Sequence, residues 1–339
     1  MKEKIKLGII GMGRWARESH LMNLRQLPQF EVRAISSRSK ENIEKALKVI
    51  EGEPLVFHDW RRLIESEEVE AVIITTPNYT HEEISTCALE AGKHVLVEKP
   101  PALTVEGCQK LIDLAKEKGR ILQVGFELRY SDLFQKAKEI IARGEIGKVQ
   151  FICCKEFRGP YLTSWRLKEE ISGGTLLEKN IHHFDLFNWF AASNPVYVGG
   201  MGGINVHKEG DVLDHAVVGV EYSNQVKACL LMCLFSPFGN ELVFEVIGDE
   251  GKIECYDTSQ KIIYHSGLKP DFAEYHIKPK PGVVEHLHSG TLRELESFAD
   301  CIREGKKPLA DGEAGKMGVA LALAGEKSIK EKRFIKIQV

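Results

Sequence analysis

One lysine stands where it could take part in proton transfer. Lys99 lies between Glu98 and the pair Pro100-Pro101, directly after the apolar run HVLV. Proline disfavours helical backbone at the preceding residue, so Lys99 is expected to be extended and to project its ammonium from a strand end. A solvated surface lysine is the alternative. Because ligands of parallel sheets bind at such strand ends, a functional lysine is the favoured interpretation.

A second stretch carries three ionisable residues in register. Glu178, His182 and Asp185 recur at i, i+4 and i+7 within TLLEKNIHHFDLFNWFAA, which predicts one polar stripe on an otherwise apolar helix. Because unpaired burial would be costly, the stripe is expected to line a pocket. The alternatives are a histidine satisfied within the core, or metal ligands. No metal site is predicted, since no further ligand set accompanies these residues. His183 points about 100° away and is a weaker candidate.

The N-terminal stretch KIKLGIIGMGRWA predicts a phosphate-binding turn. A buried strand is followed by Gly11, Gly13 and Ala16 in the pattern Gly-x-Gly-x-x-Ala, with Arg14 and Trp15 inside it. The first glycine suits a tight turn, the second allows close approach of a pyrophosphate, and a helix N-terminus faces the phosphates. The alternative is a glycine-rich turn without a ligand. The order of strand, motif and helix favours dinucleotide binding.

The end of the second predicted strand bears on the choice of cofactor. FEVRAI is followed by Ser36, Ser37 and Arg38, and no carboxylate occurs until Glu41. An acidic residue here would bind the ribose 2'-hydroxyl of NAD, whereas arginine suits the 2'-phosphate of NADP. Ser37 and Arg38, with added charge from Arg14, are therefore predicted to favour NADP over NAD. An arginine stacked on adenine would leave NAD as the alternative.

The elements that would position these residues form two regions. Residues 1–124 alternate short apolar strands with helical patterns, which predicts an N-terminal Rossmann domain with a doubly wound parallel sheet. Residues 125–339 begin with helical patterns and continue with strands joined by short turns, from Val149–Phe157 to Ile262–His265. They predict an α+β substrate-binding and oligomerisation domain with a large, mostly antiparallel sheet. The fold class is therefore α/β.

Composition excludes several classes of partner. The 339 residues are 43% hydrophobic and 28% charged, as in ordinary soluble proteins. A net charge of −3 gives no basic field for nucleic acid or an anionic membrane. No apolar run approaches the roughly 18 residues of a membrane span.

The eight cysteines contain no Cys-x-x-Cys and are expected to be reduced thiols of a cytoplasmic protein. A homodimer or homotetramer is expected, since a sheet face could be covered by another subunit.

Together these motifs resemble the glucose–fructose oxidoreductase / inositol dehydrogenase (Gfo/Idh/MocA) family over essentially the whole chain. The resemblance rests on the glycine motif, on Thr76-Pro77-Asn78-x-x-His81 and on Glu98-Lys99-Pro100. It implies that Lys99 is catalytic, close to nicotinamide and substrate. It also implies that the cofactor is lined by residues at these strand ends, namely Thr76, Pro77, Asn78, His81 and Glu98.

The resemblance extends to the second stretch. Gly173-Gly174 and the pattern Glu178-x-x-x-His182-x-x-Asp185 are similar to the family's Gly-Gly and Asp-x-x-x-His-x-x-Asp. Glu178 departs from the common Asp, and Asn180 replaces a usually small residue, so substrate geometry could differ. Trp165-Arg166 resembles a segment whose arginine contacts the cofactor.

The activity expected from this resemblance is hydride transfer between NAD(P) and a secondary hydroxyl or carbonyl of a sugar, sugar derivative or inositol. His182, oriented by Glu178 or Asp185, is the expected base, with Lys99 holding the substrate oxygen; the assignment of the base stays open. Arg129, with Asn78 and Glu127, suits a polyhydroxylated substrate. His286 and His288 also suit it, with an ordinary surface position as the equal alternative for these two histidines. The alternatives are a glycosidase with a transient redox step, a non-catalytic NAD(P)-binding sugar sensor, and a biliverdin- or dihydrodiol-type reductase.

Overall fold

The computed structural model of the chain describes residues 3–159, 161, 164–267, 269–277 and 290–338. The chain forms two compact units. The first unit comprises Met1–Tyr130 with Val283–Lys316, and the second comprises Ser131–Gly282 with Met317–Val339. Each unit is therefore built from two separate stretches of the chain.

The strands fall into two sheets. The six-stranded sheet of the first unit contains β1 Ile5–Ile10, β2 Phe30–Ser36, β3 Leu55–Phe57, β4 Ala71–Ile74, β5 His94–Glu98 and β6 Leu122–Gly125. The nine-stranded sheet of the second unit contains β7 Val149–Phe157, β8 Pro195–Gly203, β9 His215–Tyr222, β10 Lys227–Cys233, β11 Glu241–Gly248, β12 Gly251–Tyr256, β13 Lys261–Ser266, β14 Lys269–His276 and β15 Ile335–Lys336.

The helices alternate with strands in the first half of the chain and frame the sheet region in the second. They are α1 Met22–Leu24, α2 Lys40–Leu47, α3 Trp60–Glu65, α4 His81–Glu90, α5 Val105–Lys118, α6 Glu127–Tyr130, α7 Asp132–Ala142, α8 Glu169–Ser172, α9 Thr175–Glu178, α10 Ile181–Ala191, α11 Thr291–Glu304 and α12 Gly312–Glu331. A π-helical segment, Ala16–Leu21, precedes α1. Within the described residues, none of these helices is both long and apolar enough to cross a membrane.

The first sheet is parallel throughout, in the order β3-β2-β1-β4-β5-β6. Its strands alternate buried apolar side chains between two faces. Ile9 and Ile73 belong to a core cluster shared with α11, whereas Ile10 and Ile74 belong to one shared with α4 and α5. Covering both faces with helices is what parallel crossovers require. The change of direction at β1 places β1 and β4 at the centre of the sheet.

The second sheet has the order β14-β13-β12-β11-β7-β10-β9-β8-β15. Its pairs are antiparallel except for β7 and β10, which run parallel. Alternate residues of β7, β9 and β10 are buried, so one face of the sheet carries the core. Aromatic rings from α7, α10 and β11 pack there, including Phe134, Phe187 and Phe244.

The predicted fold class is confirmed, with two differences in detail. Strand β14 follows β13 where the sequence analysis ended its run of strands at Ile262–His265. In addition, α11 belongs to the first unit although it lies far along the chain. Its apolar residues pack on β1 and β2, a long-range contact that local periodicity does not reveal. The division of the chain into domains at residues 124 and 125 stays a prediction.

Candidate functional site

The glycine turn after β1 is shaped by the end of β4. Gly11 has a φ of 95°, and a Cβ built on it would lie 2.9 Å from the backbone carbonyl atoms of Thr75. Both observations require glycine, since a side chain would be strained and would have no room. Thr75 Oγ1 donates a hydrogen bond to the Gly11 carbonyl at 2.7 Å. Thr75, which the sequence analysis did not select, therefore fixes the turn.

Glu98, at the end of β5, ties this strand to the helical segment after the glycine turn. Its Oε1 accepts hydrogen bonds from Trp15 Nε1 at 2.6 Å and from His20 Nε2 at 2.7 Å. Trp15 and His20 are five residues apart, and the π-helical repeat of i to i+5 brings both to the same side. Burial would raise the pKa of Glu98, but the hydrogen bonds from His20 and Trp15 and the positive charges of His20 and Lys99 together outweigh it, so this pKa lies below its ordinary value. Glu98 is therefore an ionised acceptor.

Another carboxyl group of the first unit, that of Glu294, has its pKa shifted in the opposite direction. Glu294 of α11 is buried, and Gln123 Nε2 donates to its backbone carbonyl at 2.9 Å. Burial, followed by the charges of Glu98 and Glu127, raises the pKa of Glu294 well above its ordinary value. Glu294 therefore favours its neutral form, in contrast to Glu98.

His81, the first residue of α4, joins the loops after β4 and β5. Its Nδ1 lies 2.7 Å from the carbonyl oxygen of Pro100, and its Nε2 lies 2.8 Å from that of Thr76. Burial lowers the pKa of His81, although both carbonyl oxygens act in the opposite direction. His81 thus holds the two loops in which Thr76, Pro77 and Lys99 lie. The cofactor contact that the resemblance implies for these residues stays a prediction.

The segment after β2 presents a positive charge. Ser37 is fixed through its backbone N–H to the Phe57 carbonyl at 3.1 Å, and its Oγ accepts from the Ser39 N–H at 3.2 Å. Arg38 is exposed, and no ion pair engages it in the part of the chain that the structure describes. Arg14 is also exposed but donates to Glu18 Oε2 at 2.6 Å. Arg38 therefore carries the less compensated charge.

The predicted substrate residues of the first unit lie close to strand ends. Lys99 is partly buried after β5, and Asn78 is buried in the 3₁₀ turn Asn78–Thr80 before α4. Arg129 of α6 is buried, and one guanidinium nitrogen donates to the Leu309 carbonyl at 2.8 Å. This bond fixes part of the Arg129 side chain. Its predicted role in substrate binding stays a prediction.

In the second unit, Glu178 is bound by two residues from the preceding segment. Tyr161 Oη donates to Glu178 Oε2 at 3.0 Å, and Arg166 Nε donates to Glu178 Oε1 at 3.2 Å. The guanidinium carbon of Arg166 lies 5.0 Å from the ring centroids of both Tyr161 and Trp165. Burial and then the charge of Glu178 raise the pKa of Tyr161 well above its ordinary value. The buried Glu178 thus holds Arg166 close to two aromatic rings.

The helix predicted to carry all three stripe residues is interrupted. α9 ends at Glu178, and α10 begins at Ile181 with Asn180 as its N-cap. The Asn180 side chain makes no capping hydrogen bond to the helix backbone; its Nδ2 lies 3.0 Å from His183 Nδ1 instead. Asparagine is unfavourable inside helices because its side chain competes with helical hydrogen bonding. The prediction of one continuous stripe is therefore wrong. His182 and Asp185 are both buried on α10, where their i, i+3 spacing gives them neighbouring positions.

A buried carboxylate supports the interruption. Glu156, at an inward position of β7, accepts from Arg158 Nε at 2.6 Å and from Lys179 Nζ at 3.0 Å. His183 Nε2 lies 3.5 Å from its other oxygen. Burial would raise the pKa of Glu156, but the charges of Lys179, His183 and Arg158 and the hydrogen bond from Arg158 together outweigh it and lower this pKa to about 2. Glu156 therefore binds residues on both sides of Asn180 and fixes the turn before His182.

The structure brings several predicted residues together and adds unpredicted ones. Trp15 meets Glu98, and Arg166 meets Glu178. The residues that the sequence analysis missed are His20, Thr75, Glu156 and Tyr161; a charged residue at an inward position of a strand was the available signal for Glu156. His286 and His288 lie outside the described residues. Among the described residues, no group of three or more His, Cys, Asp or Glu side chains could hold a metal ion.

The first unit fits a dinucleotide. A Cβ on Gly13 would meet nothing within 4 Å, so the backbone after the Gly11 turn is open to a ligand. The ends of β1, β4 and β5 lie at the same edge of a parallel sheet, where such ligands bind. Gly11, Gly13 and the segment starting at Arg14 would hold the pyrophosphate, and Ser37 and Arg38 would face the adenosine ribose. These features define a dinucleotide-binding protein.

Comparison with known proteins identifies the family. Residues 5–126 match the model of the oxidoreductase family with an NAD-binding Rossmann fold, and residues 138–339 match the model of the same family's C-terminal alpha/beta domain. The chain therefore belongs to the Gfo/Idh/MocA family of oxidoreductases. The resemblance found in the sequence and the expected class of enzyme are thereby confirmed.

Relatives match the whole chain at moderate identity. The myo-inositol 2-dehydrogenase of Thermotoga maritima is 28% identical over 98% of this chain and 99% of its own length. The scyllo-inositol 2-dehydrogenase (NAD(+)) of Bacillus subtilis is 27% identical over 100% of this chain and 98% of its own. A solved structure of a probable dehydrogenase from Thermotoga maritima has a TM-score of 0.84 at 27% identity, covering 97% of this chain and 98% of that one.

Proposed function

We propose that the protein is a dehydrogenase that transfers a hydride between a nicotinamide and a secondary alcohol carbon of an inositol, a sugar or a sugar derivative. The observation that carries the proposal is the position of Lys99. It follows β5 at the ligand-binding edge of a parallel sheet, next to the buried, ionised Glu98. Relatives named as inositol dehydrogenases, which match the chain from end to end, support the choice of substrate class.

The proposed chemistry divides between the cofactor and the protein. The bound nicotinamide accepts or supplies the hydride. In the direction of oxidation the hydroxyl proton must also leave, and negative charge develops on the substrate oxygen. The ammonium of Lys99 would stabilise that oxygen. His182 would accept the proton, with Asp185 nearby on α10, and Lys99 is the alternative acceptor. Glu178 would act through Arg166, which it binds directly.

The proposed cofactor is NADP in preference to NAD. Arg38 is exposed beside the fixed Ser37, and the segment after β2 has no carboxylate to bind a ribose 2'-hydroxyl. One relative, however, is named scyllo-inositol 2-dehydrogenase (NAD(+)), and this name favours NAD as the alternative cofactor.

The expected cytoplasmic location and the expected homodimer or homotetramer stay predictions.

The test measures the absorbance of reduced nicotinamide with NADP and NAD separately. The substrates are myo-inositol, scyllo-inositol, a panel of sugars and a panel of glycosides. Lys99→Met should abolish net reduction while leaving cofactor affinity, measured by fluorescence titration, within about twofold of wild type. Lys110→Met is the matched control, since Lys110 is an exposed lysine of α5, and it should remain active.

The outcomes separate the candidate functions. Net reduction that depends on Lys99 would support the dehydrogenase. Full activity of Lys99→Met would contradict the role of this lysine. Cleavage of glycosides without net reduction would identify the glycosidase instead, and tight cofactor binding without any turnover across the panel would favour the sensor.

A further inference from the structure

Two thiols of the second unit lie in contact on neighbouring strands. Cys153 of β7 and Cys229 of β10 are direct partners in the parallel register of these strands. Their sulfur atoms are 3.3 Å apart, with the Cys229 thiol donating to Cys153 Sγ. Neighbouring strands are about 4.8 Å apart, which falls within the Cα separation of roughly 4.4–6.8 Å that a disulfide tolerates. The two sulfur atoms are therefore positioned for bond formation without a change of register.

The pair lies on the less buried face of the sheet. Ile152 and Cys154, the neighbours of Cys153 along β7, are fully buried, whereas Cys153 and Cys229 are partly exposed. Alternation along a strand explains the difference, because successive side chains point to opposite faces. Within one chain, Cys153 and Cys229 are therefore more accessible to a small oxidant than Cys154.

The residues beside the pair leave one side open. The register places Gly219 of β9 next to Cys229 and Glu245 of β11 next to Cys153. A Cβ on Gly219 would find its nearest neighbour, the Gly199 carbonyl oxygen, at 3.9 Å. A small molecule can thus approach the sulfur atoms over Gly219.

We propose that Cys153 and Cys229 form a redox-active dithiol, which a peroxide converts into an intramolecular disulfide. In the first step the Cys153 thiolate attacks a peroxide oxygen and the O–O bond breaks, which gives a Cys153 sulfenic acid and hydroxide. The hydroxide takes up the proton that the Cys153 thiol released on ionising and becomes water. In the second step the Cys229 sulfur attacks the sulfenic sulfur, and the sulfenic hydroxyl leaves as water with the thiol proton. Two thiols are oxidised, one hydrogen peroxide is reduced, and two waters are released.

The two thiols differ in a way that suits these steps. The hydrogen bond from Cys229 lowers the pKa of Cys153 to about 7, and the thiolate is the reactive form of cysteine. Cys153 is accordingly the residue that meets the peroxide, and Cys229 is the residue that completes the disulfide. Neither belongs to the proposed dehydrogenase site, so the dithiol is independent of the proposed function.

The test uses the full-length, reduced protein treated with hydrogen peroxide. We expect the count of free thiols, titrated after denaturation, to fall from eight to six, and dithiothreitol to restore it. Mass spectrometry of unreduced peptides should find a link between Cys153 and Cys229. Cys153→Ser and Cys229→Ser should each abolish this loss of two thiols. Cys233→Ser, a matched control on the same face of β10, should still lose two.

Other results would overturn the proposal. These are a full complement of thiols after peroxide treatment, a link that involves a different pair of cysteines, or a disulfide between two chains on a non-reducing gel. Oxidation of Cys153 that proceeds to sulfinic acid in the wild-type protein, without a link to Cys229, would also contradict it. Circular dichroism of the serine variants shows whether they are folded.

Discussion

A single ionised carboxylate organises the surroundings of Lys99 at the scale of residues. Glu98 Oε1 accepts from both Trp15 and His20, and a Cβ on Gly125 would lie 2.9 Å from its Oε2. The neighbouring strand therefore leaves a space that only glycine provides. Two hydrogen bonds to one carboxylate oxygen fix the position of the Glu98 side chain and favour its ionised form, since charged hydrogen bonds are stronger than neutral ones. Lys99 thus follows a fixed strand end.

His94, at the start of β5, should make stability depend on pH. Its Nδ1 accepts the Ile121 N–H at 3.1 Å, so the folded state needs the neutral ring. Burial, and next the charge of Arg120, lowers the pKa of His94 to about 4, against about 6.5 in an unfolded chain. The unfolded state therefore binds more protons between these values. The free energy of unfolding should fall as pH decreases from about 6.5 to 4.

The variant His94→Asn isolates this contribution, because the amide oxygen can still accept from Ile121. Urea unfolding at several pH values should show a flatter decline between pH 6.5 and pH 4 than wild type. His58→Asn changes an exposed histidine and serves as the control, with the wild-type decline expected. An unchanged slope in His94→Asn would contradict the assignment.

Arg38 should determine the preference between the two cofactors. A charged hydrogen bond to a 2'-phosphate contributes about 1.5–3 kcal/mol, so Arg38→Ala should weaken NADP binding roughly ten- to a hundredfold. NAD lacks this phosphate, and its affinity should change little. Fluorescence titration of both cofactors gives the comparison, with Arg62→Ala, an exposed arginine of α3, as the control. An equal loss of affinity for NADP and for NAD would show that Arg38 does not bind the 2'-phosphate.

Residue types and spacing predicted part of this site and could not predict the rest. The glycine turn, Glu98 and Lys99 follow from strand ends and backbone requirements that are written locally in the sequence. His20 does not, because on an α-helix it would lie about 140° from Trp15. A π-helical turn brings the two side chains together, and no pattern of residue types in the sequence predicts this turn. Tyr161 was missed for a similar reason, since its bond to Glu178 depends on tertiary placement.

At the scale of elements, the interrupted helix before His182 depends on buried charge. Glu156 binds Lys179 before the N-cap Asn180 and approaches His183 after it. Hydrophobic periodicity alone runs unbroken through this stretch and therefore predicts one helix. The capping tendency of asparagine was the local signal for a break. The anionic partner on β7 lies more than twenty residues away in sequence.

Glu326 of α12 should give α9 a dependence on pH. Its Oε1 accepts the Leu176 N–H at 3.0 Å, next to Gly174, whose φ is 92°. Burial raises the pKa of Glu326 to about 7, above the roughly 4.3 of an unfolded chain. The stabilisation from this shift is complete below about pH 4.3 and is lost as pH rises to about 7.

Glu326→Gln keeps the accepting oxygen but cannot ionise. Relative to wild type, the variant should gain stability as pH rises from 4.5 to 8, by up to about 3 kcal/mol. Urea unfolding at both pH values measures the gain. Glu331→Gln changes a more exposed carboxylate of the same helix and is the control. A difference that is constant across pH would contradict the shifted titration.

At the scale of the whole molecule, the first unit is completed by a distant segment of the chain. Leu292, Leu295 and Phe298 of α11 belong to the core cluster that contains β1 and β2. The ring of Phe298 stacks on Phe30 with centroids 6.5 Å apart. Burying each such side chain contributes about 1.5–3 kcal/mol, so α11 contributes an amount comparable to the entire stability of a typical domain.

A fragment of residues 1–130 should therefore not fold as an independent dinucleotide-binding domain, although it contains every strand of the first sheet. Without α11, the apolar face around Phe30 would be exposed, and the fragment should show no cooperative thermal transition and no cofactor binding. Joining residues 290–316 to its C-terminus through a flexible linker of about 20 residues should restore both. The same fusion carrying Phe298→Asp is the control and should fail, because a charge would be buried in the core. Cooperative unfolding of the bare fragment would show that α11 only covers a unit that is already stable.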